Sequence, residues 1–294
     1  MATTMKKHLS EKAQMHGLKE LVAHVANESR IQVGDEGRWN IPEIAKHSEC
    51  GLSSVSVSTL QKCLQPVLEG LRQIDATELL GLEQVAAGMG PQIKEGVHVR
   101  PIHNLITPTC YPGTVRYIHL SEVEGQYSMG VFIFPPLAVI PLHDHPGMCV
   151  LSRVLYGDLQ RKSLDLAREQ PDEEPETRSW IPWTRSGKRR RDSDVPKGSK
   201  LAYRNRVDNL RAPDCTILFP FEGNLHEFVA GPHGAAVLDV LLPPYDHQHH
   251  RDCTFFEIRE CSDKLDGNRD KVWITPTGQP ENFHCISGSY DHLE

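Results

Sequence analysis

The sequence is short of apolar residues and has no long run of them. Hydrophobic types make up 38% of the chain and aromatics 6%, and no stretch approaches the ~18 successive apolar residues that a spanning helix needs. No secretory leader is expected either, because the first turns interleave Lys6, Lys7, Glu11, Lys12, Lys19 and Glu20 with no leader-type apolar segment. A mitochondrial transit peptide would be richer in Arg and poorer in acid. An excess of positive charge is also missing: 32 Lys and Arg against 39 Asp and Glu give a net charge of −7. General affinity for nucleic acid or an anionic membrane is therefore not expected. The eight cysteines contain no CxxC pair. That disfavours a zinc ribbon or a disulfide frame and favours reduced thiols in the cytoplasm or nucleus. The sequence shows no internal repeat and no feature that calls for an oligomer, so a monomer is expected.

What is present fits a loop-rich α+β or mainly β protein. The 294 residues suffice for one large domain or two small ones, and 22 Gly with 21 Pro argue against a helical bundle. Leu18, Leu21, Val22 and Val25 follow helical spacing, and Leu60, Cys63, Leu64, Val67, Leu68, Leu71 and Ile74 repeat that stripe more strongly. Pro66 lies inside the second stripe, so that helix is expected to kink or to start near it. Gly34 to Gly51 reads as a polar connection.

From Thr114 onward the pattern changes to short β-rich runs broken by Gly, Pro, Asp and Asn. These are Val115–Leu120, Tyr127–Phe134, Met148–Leu155, Asp158–Leu164, Leu201–Arg206, Thr216–Phe219, Glu227–Ala230, Ala235–Leu242 and Thr254–Ile258. Such spacing predicts an antiparallel sandwich or barrel. An acidic block (Glu169, Asp172, Glu173, Glu174, Glu176) and a basic one (Lys188–Arg191) interrupt the strands. They read as a solvated, partly disordered insertion over 168–199, or as carrying a nuclear import or docking signal at Lys188–Arg191. Residues 263–294, with Pro276, Gly278, Pro280 and Gly288, read as an irregular tail.

The chemistry concentrates in Pro141-Leu142-His143-Asp144-His145-Pro146-Gly147-Met148. Two histidines two apart at a strand end point to the same side and can grip one metal from a rigid edge. Imidazole alone does not choose among Fe, Zn, Cu and Ni. The pattern resembles the first motif of the cupin superfamily, HxH-x(3–4)-E-x(6)-G. The glutamate position falls on Val150 and the closing glycine on Gly157. Pro220-Phe221-Glu222-Gly223-Asn224-Leu225-His226 approximates the second motif with one extra residue, which makes His226 the third ligand. Three neutral imidazoles leave a divalent ion its full charge, which favours an anionic co-ligand such as a thiolate.

Ile140–Met148, continuing through Val150-Leu151-Ser152, Leu155-Tyr156-Gly157 and Lys162-Ser163, resembles the plant cysteine oxidases and their relatives, the 2-aminoethanethiol (cysteamine) dioxygenases. Further matches are Gly81-Leu82-Glu83, Phe132–Pro136, Asn224-Leu225-His226, Leu238-Asp239-Val240, Pro243-Pro244-Tyr245 and Arg251-Asp252-Cys253-Thr254. The resemblance implies a mainly β cupin, a double-stranded β-helix or jelly-roll barrel with N-terminal helices. Its domain would span 57–262, after an extension over 1–56. It implies an Fe(II) thiol dioxygenase that uses O2 to turn the N-terminal cysteine of target proteins into a sulfinic acid, and so an oxygen sensor in the N-degron pathway and hypoxia response. A small-thiol dioxygenase (cysteamine or cysteine) and a non-catalytic metal-binding cupin are the alternatives. The implied ligands are His143, His145 and His226. Asp239 and Tyr245 are implied to line the site and to position the substrate amine or a water.

Some family members crosslink a Cys to a Tyr two residues on. Here Cys253 is followed by Phe255, so that thioether cannot form at this position. Cys253 is then expected to pack or to line a channel. His247-Gln248-His249-His250 reads as exposed polar surface or as an additional metal site.

Overall fold

The computed structural model describes residues 17–24, 26, 32–33, 39–40, 57–74, 76, 113–167, 196–249, 251–266 and 269–289. Gly34 to Gly51, Gly81-Leu82-Glu83, the acidic block and Lys188–Arg191 fall wholly or mostly outside these residues, as does His250.

Residues 17–24 are helical (α1), and a two-stranded antiparallel pair follows, β1 (Gln32–Val33) with β2 (Trp39–Asn40). Helix α2 (Val57–Gln73) runs continuously through Pro66, so it does not start there. Leu60, Leu64, Val67, Leu68 and Leu71 are buried along one side of α2 and share a core with Leu18 and Val22 of α1. The two helical stripes are core faces, as their spacing predicts.

The remaining strands are β3 (Val115–Val123), β4 (Tyr127–Phe134), β5 (Val139–His143), β6 (Cys149–Leu166), β7 (Lys200–Arg204), β8 (Asp208–Arg211), β9 (Cys215–Leu218), β10 (Leu225–Leu242), β11 (Phe255–Asp266), β12 (Arg269–Thr277) and β13 (Cys285–Ser289). They form one sheet that closes on itself. From β10 the ladder passes to β5, β11, β12, β7 and β6, and β6 pairs back onto β10. Closure leaves no open edge in this ring. The architecture is the expected double-stranded β-helix of a cupin, with helices on its outer face.

Two pairs of runs that read as separate strands are single long ones. Gly157 breaks the first pair in sequence and Gly231–Gly234 the second, yet β6 runs on through Gly157, which pairs with Ala235, and β10 runs on through a register shift between Ala230 and Ala235. Gly157 and Gly234 take positive φ, and a Cβ at Gly157 would strike the Gly234 carbonyl oxygen. The glycines let two strands cross closely while each bends, which is how one strand serves both ends of a barrel.

The second half of β10 is buried on both faces. Leu238, Val240 and Leu242 face the helices, whereas Val237 and Leu241 pack toward the barrel interior. By alternation Asp239 faces that interior. The stretch expected to be an irregular tail is a correction: β12 pairs β11 and β7 and completes the ring, and β13 adds to β3 in parallel. Val272 and Ile274 are fully buried on β12. Pro276, paired with Phe256 near the end of β12, and Gly278 just past it hide the strand in the sequence.

Candidate metal centre

The barrel ring brings the three predicted histidines together. His143 is the last residue of β5 and lies opposite His226 of β10 and Phe255 of β11. His226 also faces Ser163 of β6. His145 lies just beyond β5, in a turn made possible by the positive φ of Gly147. One ligand nitrogen from each ring falls within 4.8 Å of the others, and all three side chains are buried. Among the described residues this is the group of three or more His, Cys, Asp or Glu arranged to hold a metal.

Hydrogen bonds fix the tautomers of two of the rings. His143 Nδ1 lies 2.8 Å from the Pro141 carbonyl, which can only accept, so Nδ1 carries the proton and Nε2 the lone pair. Tyr245 donates its hydroxyl proton to the Asp144 carbonyl at 2.9 Å. Its oxygen, 2.7 Å from His145 Nδ1, must then accept from that ring. His145 Nε2 is thereby a lone pair as well, 3.3 Å from His226 Nε2. His226 Nδ1 makes no hydrogen bond, and the ring rests on Phe228.

Burial keeps all three rings neutral. It lowers the His143 pKa to about 4, against the opposing pull of the Pro141 carbonyl. Burial, then repulsion between the rings, holds His145 and His226 well below the ordinary value. Neutral, buried, convergent imidazoles are what a first-row metal requires, and the second nitrogens of His143 and His145 are anchored as in known metal sites. The residues present fit a divalent metal held by His143, His145 and His226.

The surroundings define the rest of the site. Val150, where the motif would place a carboxylate, packs with Met148, Leu218 and Leu241 against Tyr245. The site is a three-histidine set without an acidic ligand from that position. Phe255 stands at the wall, its ring centroid 6.2 Å from that of His143. Asp239 is buried, hydrogen-bonds Ser152, and leaves Oδ1 without a partner. Burial pushes its carboxyl up to about 6. Cys253 does not reach a tyrosine at position 255, but its thiol meets the Tyr245 hydroxyl, and burial pushes it up to about 11. His247 is exposed and pairs with Asp252 at 2.8 Å, apart from the triad.

The sequence places Tyr245 in the site without its contact to a ligand ring, and it does not mark Asn224 as a support. Tyr245 touches a ligand ring directly, which is a more specific place than lining the cavity. Asn224 bonds the backbone of His145; its only sequence signal was its place in the Asn224-Leu225-His226 run.

A sequence profile of the PCO_ADO family matches residues 95–292. The chain is 31% identical to plant cysteine oxidase 2 of Arabidopsis thaliana over 229 residues, 74% of each protein. It is 37% identical to plant cysteine oxidase 1 of the same organism over 183 residues, 61% of this chain and 53% of that one. It is 32% identical to the 2-aminoethanethiol dioxygenase of Mus musculus over 188 residues, 60% of this chain and 69% of that one. Among solved structures, a Klebsiella pneumoniae protein with a double-stranded β-helix domain is similar over 55% of this chain and 98% of its own, at 14% identity and a TM-score of 0.32. With two thirds of its length matched by one profile and three convergent histidines at its centre, the chain belongs to the PCO_ADO family of thiol dioxygenases.

Proposed function

We propose that this chain is an Fe(II)-dependent dioxygenase that oxidises the N-terminal cysteine of target proteins to cysteine sulfinic acid, and so reports O2 to an N-degron pathway. The observation that carries it is the set of three neutral histidines with Val150 in place of a fourth, acidic ligand. A divalent ion there keeps its full charge and favours a thiolate neighbour. When bound, iron supplies a common template and Lewis acid for thiolate and O2.

The chain's own residues do the rest. The Pro141 carbonyl and the Tyr245 hydroxyl hold His143 and His145 with Nε2 aimed inward. Val150, Leu241, Phe228 and Phe255 give the interior an apolar lining that excludes bulk water. Asp239 offers an unpartnered carboxylate oxygen to the amine that a cysteine N-terminus or cysteamine carries. The reaction R–SH + O2 → R–SO2H balances without a co-reductant, since sulfur supplies every electron that O2 takes up.

The small-thiol reading draws on the similarity to 2-aminoethanethiol dioxygenase. Oxygen uptake by the iron-loaded protein separates the readings. A Cys-initiated peptide should drive uptake and should outcompete free cysteamine. Preference for cysteamine favours the small-thiol enzyme, and uptake with neither leaves a binding protein. On the same reading the protein works in the cytoplasm or nucleus, where target cysteines stay reduced.

A further inference from the structure

The three ligands are not held alike. His143 and His226 sit in the ladder of the closed ring and inherit its rigidity. His145 lies outside any strand, in the turn between β5 and β6. A buried backbone there must find its hydrogen bonds elsewhere. Within the turn the Met148 N–H reaches the His145 carbonyl at 3.1 Å, and one side chain bonds both the N–H and the carbonyl. Asn224 Oδ1 accepts from the His145 N–H at 2.9 Å, and Asn224 Nδ2 donates to the His145 carbonyl at 2.7 Å. The second Nδ2 proton points to the Phe219 carbonyl at 3.4 Å.

This is the double bond pattern that a facing residue gives in a hydrogen-bonded antiparallel pair, made here by an amide side chain. The His145 N–H has Asn224 as its side-chain acceptor, and Asn224 is a second donor to the carbonyl beside Met148, so this pairing takes a side chain that both accepts and donates. Asn224 is itself buried and placed by the turn before β10. Gly223 takes a positive φ there, and its N–H is bonded by Asp165 at 2.6 Å. Asn224 thus joins the two ligand-bearing segments, two residues before His226 and directly on His145.

We propose that Asn224 is a positioning residue that stands in for a strand neighbour of His145 and sets the metal affinity of the triad. Tyr245 fixes the rotation of the ring; Asn224 fixes the backbone from which the ring projects. The inference rests on the reading of the triad as a metal centre. Loss of a comparable support around metal ligands costs about 10–100-fold in affinity.

The test titrates metal-free protein with Co(II), reading the dissociation constant and the visible absorption bands, with thermal unfolding of the metal-free form as the fold control. Asn224→Asp keeps the shape and the acceptor but loses the donor. A purely steric role predicts no change, and simple charge attraction predicts tighter binding. Positioning predicts binding about 10–100-fold weaker with altered bands, while the metal-free fold is kept. Native affinity and bands, or tighter binding, overturn the proposal.

Asn224→Ala is the second variant should the aspartate fail to fold, with the same expectation. If neither folds, Asn224 is a general structural residue and the proposal fails. The native chain and His226→Ala serve as reference. If the native chain takes up no Co(II), or His226→Ala takes it up equally well, the metal reading itself is wrong and the inference falls with it. If those two behave as expected and only the Asn224 variants match the native chain, the metal centre stands and the positioning role alone is lost.

Discussion

His145 donates from Nδ1 to the Tyr245 hydroxyl across 2.7 Å, and that same hydroxyl donates to the carbonyl of Asp144, the residue before. One phenol therefore sets both the tautomer of a ligand and the path of the turn that carries it. The resemblance places Tyr245 in the site; the hydrogen bonds give it a task there.

Removing that hydroxyl separates the two effects. Tyr245→Phe should weaken metal binding by about tenfold. It should also cost roughly 1–3 kcal/mol of stability, because the Asp144 carbonyl loses its donor. Metal titration and denaturant unfolding read the two. A phenylalanine variant with native metal affinity would show that the His145 tautomer does not depend on this contact.

His226→Ala removes a ligand that is no member of the apolar core clusters and meets one of them at Phe228. The expected outcome is loss of bound metal by elemental analysis, with native circular dichroism. Retained stoichiometric metal would remove His226 from the ligand set.

Asp239 gives a pH signature in the metal-free protein. Its carboxyl stands at about 6 in the fold against an ordinary 3.8, raised chiefly by burial. The folded state binds the extra proton between these values, so the contribution is fully present below pH 3.8 and is lost as pH rises to about 6. The loss is on the order of 3 kcal/mol. Asp239→Asn should remove this falling contribution between pH 3.8 and about 6, leaving those of Asp144 and of the buried histidines, and exceed the native chain in stability at neutral pH, while thiol oxidation falls. A native-like pH slope in the variant would place the titration on another group.

Arg153 provides a control remote from the triad. Its guanidinium is buried and donates to the Leu71 carbonyl at the C-terminal end of α2. There a cation meets carbonyls that the helix leaves without intrahelical partners. Arg153→Leu should cost about 1–3 kcal/mol of stability and leave metal affinity unchanged. Altered metal binding would mean that the helices act on the site, contrary to a purely structural cap.

Much of this molecule is legible in its sequence, for identifiable reasons. Tyr127–Phe134 is a strand with the bounds that its β-formers and flanks predict. The spacing of His143 and His145 and the context of His226 announce the triad, because a metal site constrains residue type at fixed positions. The continuous β6 and β10 are hidden because Gly157 and Gly234 signal turns locally, whereas in the fold Gly157 is a paired ladder residue and Gly234 lies in the register shift of β10, the two backbones meeting closely there. β12 is hidden by Pro276 near its end and Gly278 just beyond it. The role of Asn224 was hidden because it depends on His145, which no local pattern links to it.

The most direct measurement is the mass of a Cys-initiated peptide after aerobic incubation with the iron-loaded chain. The account predicts a gain of about 32 Da, both oxygens of O2, with the thiol as the acceptor. It predicts no gain without O2, none with His226→Ala, and little on the N-acetylated peptide. No gain with the native chain, or equal gain on the acetylated peptide, would contradict it.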